Sequence, residues 1–119
     1  EPLAPVPFTA IIIGAIGGAI VVAGSIFLVK MKIDDVVGAI PVHMFAGIWG
    51  TLAVPITNAD TNFGAQLIGV LSINVFMFAA SFLVWTVLKA TVGIRVSDEA
   101  QRKGTDVAET GVVAYSIRD

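Results

Sequence analysis

Three long apolar stretches, each closed by charged or turn-forming residues, set the pattern along the chain. No Asp, Glu, Lys or Arg occurs in residues 8–29, 36–59 or 61–88. A helix needs roughly 20 mostly apolar residues to cross a hydrocarbon core of about 30 Å. All three stretches meet that length. They predict helices over about residues 8–30, 35–56 and 63–90, within a transmembrane segment of residues 1–92. The expected fold class is therefore all-α integral membrane. Pro2, Pro5 and Pro7 predict an extended or turning lead-in, because proline resists helix. The first stretch is rich in small residues, with a G-x-x-x-G pair at Gly14 and Gly18. Small residues let helix backbones approach where lipid supplies no hydrophobic drive.

The breaks between the stretches carry their own signals. Asp34 and Asp35 stand at the start of the second stretch, where a carboxylate can cap free N–H groups and complement the helix dipole. The polar run 57–62 predicts a turn. At 1.5 Å per residue the third stretch is about 40 Å long, which predicts a tilted span. Its aromatics Phe76, Phe78, Phe82 and Trp85 point around the helix, as expected of an outer, lipid-facing position. Gly93 punctuates its end. In the tail, residues 93–119, Ser97-Asp98-Glu99 reads as an N-cap with an acidic first turn and Lys103-Gly104 as a stop, which predicts one short helix.

Charge adds an orientation. Charged residues are 13% of the chain, against about 25% in soluble domains. Lys30 and Lys32 follow the first stretch, and Lys89, Arg95, Arg102, Lys103 and Arg118 close or follow the third. All seven basic residues thus fall on one side, which the positive-inside rule makes cytoplasmic. The expectation is an N-terminus outside and a tail inside, in a multi-pass protein of the cell membrane. An outside N-terminus without an initiator Met or a basic leader sets the expectation that further spans of a longer polypeptide precede it. Cysteine is absent, so neither disulfides nor thiolate metal sites arise.

His43 is the only histidine and the only ionisable side chain deep within a stretch. It lies eight residues beyond Asp35, about 12 Å at helical rise, near the bilayer centre. Ionisable groups there are costly and face a cavity or a partner. Ala39, Ala46, Gly47 and Gly50 lie on its helical face and leave room beside the imidazole. The residues alone leave three readings: a packing histidine bonded to a neighbouring helix, a group on a solute or proton path, and a haem or metal ligand, for which partners are lacking. Pro41 lacks an N–H for the Val37 carbonyl and predicts a bend just before His43. Gln66, Ser72 and Asn74 read as interhelical hydrogen-bonding groups. No nucleophile–base set, in-span carboxylate pair, phosphate loop or metal spacing is present. No enzyme activity, cofactor, metal or nucleic-acid partner is expected.

Two longer motifs carry a family resemblance. The run D-D-V-V-G-A-I-P-V-H-M-F-A-G-I-W-G-T-L-A-V-P, residues 34–55, resembles the Amt/Mep/Rh ammonium transporter family, in which two aspartates open the tenth span and V-H and G-I-W-G-type stretches follow. The tail G-I-R-V-S-D-E-A-Q-R-K-G-T-D, residues 93–106, resembles the family's G-L-R-V-S-x-E-x-E-x-x-G-L-D. The resemblance covers essentially the whole chain, as spans nine to eleven and the tail. It implies part of an eleven-span inverted-repeat subunit, assembled as a homotrimer, each subunit with its own narrow channel for ammonium or ammonia. His43 matches the second of two mid-pore histidines, with Ala39 and Gly47 beside it on the conduction path. Gly93, Arg95, Gly104 and Asp106 match tail positions implied in regulation or assembly, with a PII-type regulatory protein as a partner. The remaining spans of the same subunit and the lipid bilayer complete the expected partners. Two departures stand out: D-D-V replaces the common D-D-P, and Thr110-Gly111-Val112 replaces H-G-E. The alternative reading is an ammonium sensor, or a non-transporting membrane packing module of the same family shape.

Overall fold

The computed structural model describes residues 5–114. Helices account for nearly all of the regular structure: α1 (Pro7–Lys30), a π-helical turn π1 (Ile40–Phe45) leading into α2 (Ala46–Thr57), α3 (Phe63–Thr91), the short α4 (Asp98–Lys103) and a second π-helical turn π2 (Asp106–Thr110). Three of these segments, Pro7–Lys30, Ile40–Thr57 and Phe63–Thr91, are long and apolar enough to cross a membrane. The described residues contain no strand, so the all-α membrane class read from the charge-free stretches holds.

Local chemistry sets the ends of these helices. Pro7 opens α1, where its missing N–H would have had no partner in any case. At the other end, Ile33 N–H donates to Leu28 O and Lys32 N–H to Val29 O, each at 3.0 Å. This is the paired bonding of a Schellman stop, with Lys32 at φ 58° in the left-handed position usually given to glycine. The second span begins later than the residue 35 predicted from the aspartates. Gly38, at φ 71°, turns the chain in a conformation that a side chain would strain. The Asp35 carboxylate then reaches past this turn to accept from Ala39 N–H and Ile40 N–H, both at 2.8 Å. Asn58 opens the polar loop, and Asn62 Oδ1 accepts from Ala65 N–H at 3.2 Å at the start of α3.

The chain divides into two compact units, Glu1–Met77 and Phe78–Asp119. In the first, α1 packs against π1 and α2. Its contact seam runs through Ile13, Gly17, Gly24 and Leu28, the last two buried. The spacing of four and seven residues keeps one helix face in register. Trp49 Nε1–H donates to Ile13 O across this seam at 3.0 Å, and Pro41 and Ala53 are buried within it. The close approach falls at Gly17 and Gly24; beside Gly14 and Gly18 nothing lies within 4 Å. The G-x-x-x-G pair marks a different face of α1, because that motif reports room for a neighbour without saying which neighbour takes it. In the second unit, Phe78 and Phe82 stack at 6.3 Å. Ser97 Oγ caps α4 by accepting from Ala100 N–H at 3.2 Å.

Candidate functional site

His43 lies within π1, where the backbone departs from the α pattern. Pro41 has no N–H to give, and Ala46 N–H donates back to Pro41 O, an i→i−5 bond in place of i→i−4. Single π turns inside helices occur often at functional sites. Two residues from both Pro41 and Phe45, His43 points away from the α1 seam. It is exposed and lines an open cavity of about 370 Å³ between the second span and the first half of α3, all within the first unit.

Two helical stripes form the cavity walls. His43, Gly47 and Thr51 recur at four-residue spacing on one side, and Gln66, Val70 and Asn74 at the same spacing on the other. Thr51 Oγ1–H donates to Gly47 O at 3.0 Å, and Asn74 Nδ2–H to Val70 O at 2.8 Å. These two side chains thus bond within their own helices, and the wall, which also carries Gln66, is mainly apolar. Among the described residues the imidazole of His43 makes no hydrogen bond and stands open to the cavity. Gly47, one turn on, contributes no side chain and so leaves the space beside the ring clear. Ala39 does not line this cavity; it lies at the cap, where its N–H is held by Asp35.

The other residues singled out in the sequence lie elsewhere. Asp34 and Asp35 border a smaller cavity of about 160 Å³ with Ser25, Gly38 and Pro41. In the tail, Gly93 takes φ 80° and Gly104 φ 98°, and Arg95 is exposed. Asp106 Oδ2 accepts from Ala114 N–H at 2.9 Å. That bond, followed by one from Val107 N–H, holds the Asp106 carboxyl below its usual value of 3.8. No cluster of metal-ligating side chains occurs among the described residues. Sequence reading gave no role to Gly24, Phe45 or Trp49, which fix π1 and α2 against α1. Trp49 was the findable one, as a bulky side chain that needs a partner for its N–H when buried.

Residues 4–115 match the model of the Ammonium Transporter Family. The chain belongs to the ammonium transporter family. It is 37% identical over 130 residues to ammonium transporter Amt2 of Archaeoglobus fulgidus, covering 92% of this chain and 28% of that protein. It is 38% identical over 106 residues to a putative ammonium transporter of Synechocystis sp., covering 87% and 24%. A putative ammonium transporter 1 of Caenorhabditis elegans is 29% identical over 136 residues, covering 94% and 26%. The chain thus spans about a quarter of the length of the curated relatives it matches. Membership agrees with the two motifs, residues 34–55 and 93–106, and with three membrane-length helices it makes this a multi-pass membrane chain.

Proposed function

We propose that this chain forms part of an ammonium-conducting transporter subunit, and that His43, with Gly47 beside it, lines the conduction path. The observation that carries the reading is the imidazole facing a mainly apolar cavity from the π turn that opens the second span, in a chain of this family. The relatives' names support ammonium as the solute. Burying a bare ammonium charge in such a path costs several kcal/mol or more. Ammonium that leaves its proton at the mouth can cross as neutral ammonia and take up a proton on the far side. A neutral imidazole offers one N–H donor and one acceptor nitrogen to such a solute without fixing a charge in the membrane. Gly47 leaves the lumen open alongside it.

The same reading takes the chain as the C-terminal part of the subunit, with its tail cytoplasmic. The placement of all seven basic residues after the first and third spans supports that orientation. The apolar side chains exposed along α1 and α3 fit lipid, the remaining spans of the subunit and neighbouring copies in a homotrimer. A PII-type regulator is the expected partner of the tail.

The test is uptake of ammonium and methylammonium by the full-length transporter carrying His43→Ala, at equal membrane abundance. A hydrogen bond lost to the passing solute is worth about 1–1.5 kcal/mol, a roughly tenfold change in rate. The expected result is a fall in flux of about that size together with altered selectivity. Unchanged flux and selectivity would leave His43 as a packing residue and overturn the reading.

A further inference from the structure

The turn that carries His43 rests on a notch in α1. Gly24 is buried, and a β-carbon there would stand 2.5 Å from Phe45 Cδ2, 3.0 Å from Phe45 Cε2 and 3.1 Å from Pro41 Cβ. The first two approaches lie at or below any ordinary contact, and the third is against a rigid ring. Pro41 is fully buried. Pro41 and Phe45 are therefore seated in the space that the missing side chain leaves. In a helix interior glycine is ordinarily less favourable than alanine, so a notch of this kind is the physical reason to find one here.

We infer that Gly24 is a positioning residue for His43: its notch holds Phe45 and Pro41 and, through them, sets the rotation of the π turn that presents the imidazole to the cavity. The inference rests on the conduction role proposed for His43. Pro41 and Phe45 lie two residues to either side of His43. Residues two apart on a helix point to roughly opposite sides, so displacement of the seam face swings the imidazole on the cavity face. The π turn is held at both ends. Asp35 fixes the N–H groups of Ala39 and Ile40 before it, and Trp49 is tied to Ile13 O after it. A push at the notch is therefore taken up between these two ties, where His43 stands. Relaxation of the i→i−5 turn to an ordinary α turn would change the register by one residue, about 100° of rotation.

The experiment uses the full-length transporter with Gly24→Ala, Phe45→Val, their combination and His43→Ala, at equal membrane abundance. The readouts are ammonium flux and the ratio of ammonium to methylammonium transport. Gly24→Ala is expected to lower flux roughly tenfold, within the range that misplacement of a functional group by an ångström produces, and to shift the ratio. The size-swapped pair Gly24→Ala with Phe45→Val is expected to return the ratio toward wild type. On a His43→Ala background, Gly24→Ala should leave the ratio where His43→Ala put it, the non-additivity of residues acting through one another. A wild-type ratio in Gly24→Ala, or an effect additive with His43→Ala, overturns the inference while leaving a role for His43 intact. A silent His43→Ala overturns the conduction reading itself, and this inference with it. Should Gly24→Ala fail to accumulate, Phe45→Val alone decides: it empties the notch without a clash, and a wild-type ratio there overturns the inference.

Discussion

Asp106 gathers backbone N–H groups from both ends of a loop with one carboxylate, accepting from Ala114 eight residues on. Its carboxyl is held below 3.8 by the Ala114 bond first and the Val107 bond second. A carboxylate whose folded value is depressed stabilises the fold fully above its unfolded value and loses that contribution as pH falls through the folded one. The loop should therefore stay closed throughout the neutral range and open only in acid below pH 3.8. Asp106→Ala is expected to open it at pH 7, read as faster protease cleavage within residues 106–114; Asp106→Asn, which keeps an acceptor oxygen, should lie between. An equal cleavage rate in Asp106→Ala and wild type would refute this. Single residues were unevenly legible. Asp106 sat in a readable tail motif, but nothing in its spacing announced a partner at Ala114, since a bond across a loop depends on the loop's path. His43 was conspicuous because an ionisable group amid apolar residues is rare. Gly24 was one glycine among twelve, and only the ring opposite it gives it meaning.

At the scale of elements, the second span shows how a cap, a turn and a π segment share one task. Asp35 satisfies two N–H groups that no helical carbonyl can reach, and loss of such a cap typically costs about 1 kcal/mol. Asp35→Ala should lower the thermal stability of the detergent-solubilised transporter accordingly, with Asp35→Asn, which keeps one of the two acceptor oxygens, in between; an alanine variant with unchanged melting would show that water replaces the carboxylate without loss. The existence of three long helices was legible because membranes exclude charge, and the charge-free stretches mark their lengths directly. The start of the second helix was not, because two aspartates look alike in sequence and the left-handed turn at Gly38 decides which of them caps. The π turn was half legible. Pro41 announced a lost hydrogen bond, whereas whether the helix bends, breaks or widens depends on the surface of α1 against which it folds.

For the molecule as a whole, the spans leave much of their apolar surface uncovered among the described residues, with Val70 the only buried residue of α3. At 1.5 Å per residue, the 29 residues of α3 extend about 44 Å, beyond a core of about 30 Å. Such a helix accommodates by tilting or by local thickening of the bilayer. The orientation proposed from charge is directly testable in the full-length protein. Single cysteines replacing Lys32 and Asp60 should be labelled by a membrane-impermeant reagent from opposite sides, Lys32→Cys from the cytoplasm. Labelling of both from one side would refute the proposed topology. The apolar cavity was the least legible feature at this scale. Its two stripes lie on separate helices, and periodicity within one helix cannot say which stripe another will face.

The bond from the Trp49 indole to Ile13 O has an optical consequence. The chain holds two tryptophans, and Trp85 is exposed whereas Trp49 is half-buried. With Trp85→Phe, and with any tryptophans outside these 119 residues likewise replaced, emission would come from an indole whose N–H is tied to the backbone of the neighbouring helix. Parting of α1 from α2 would free that N–H and change the colour of the light, so the seam that seats the His43 turn carries its own fluorescent gauge.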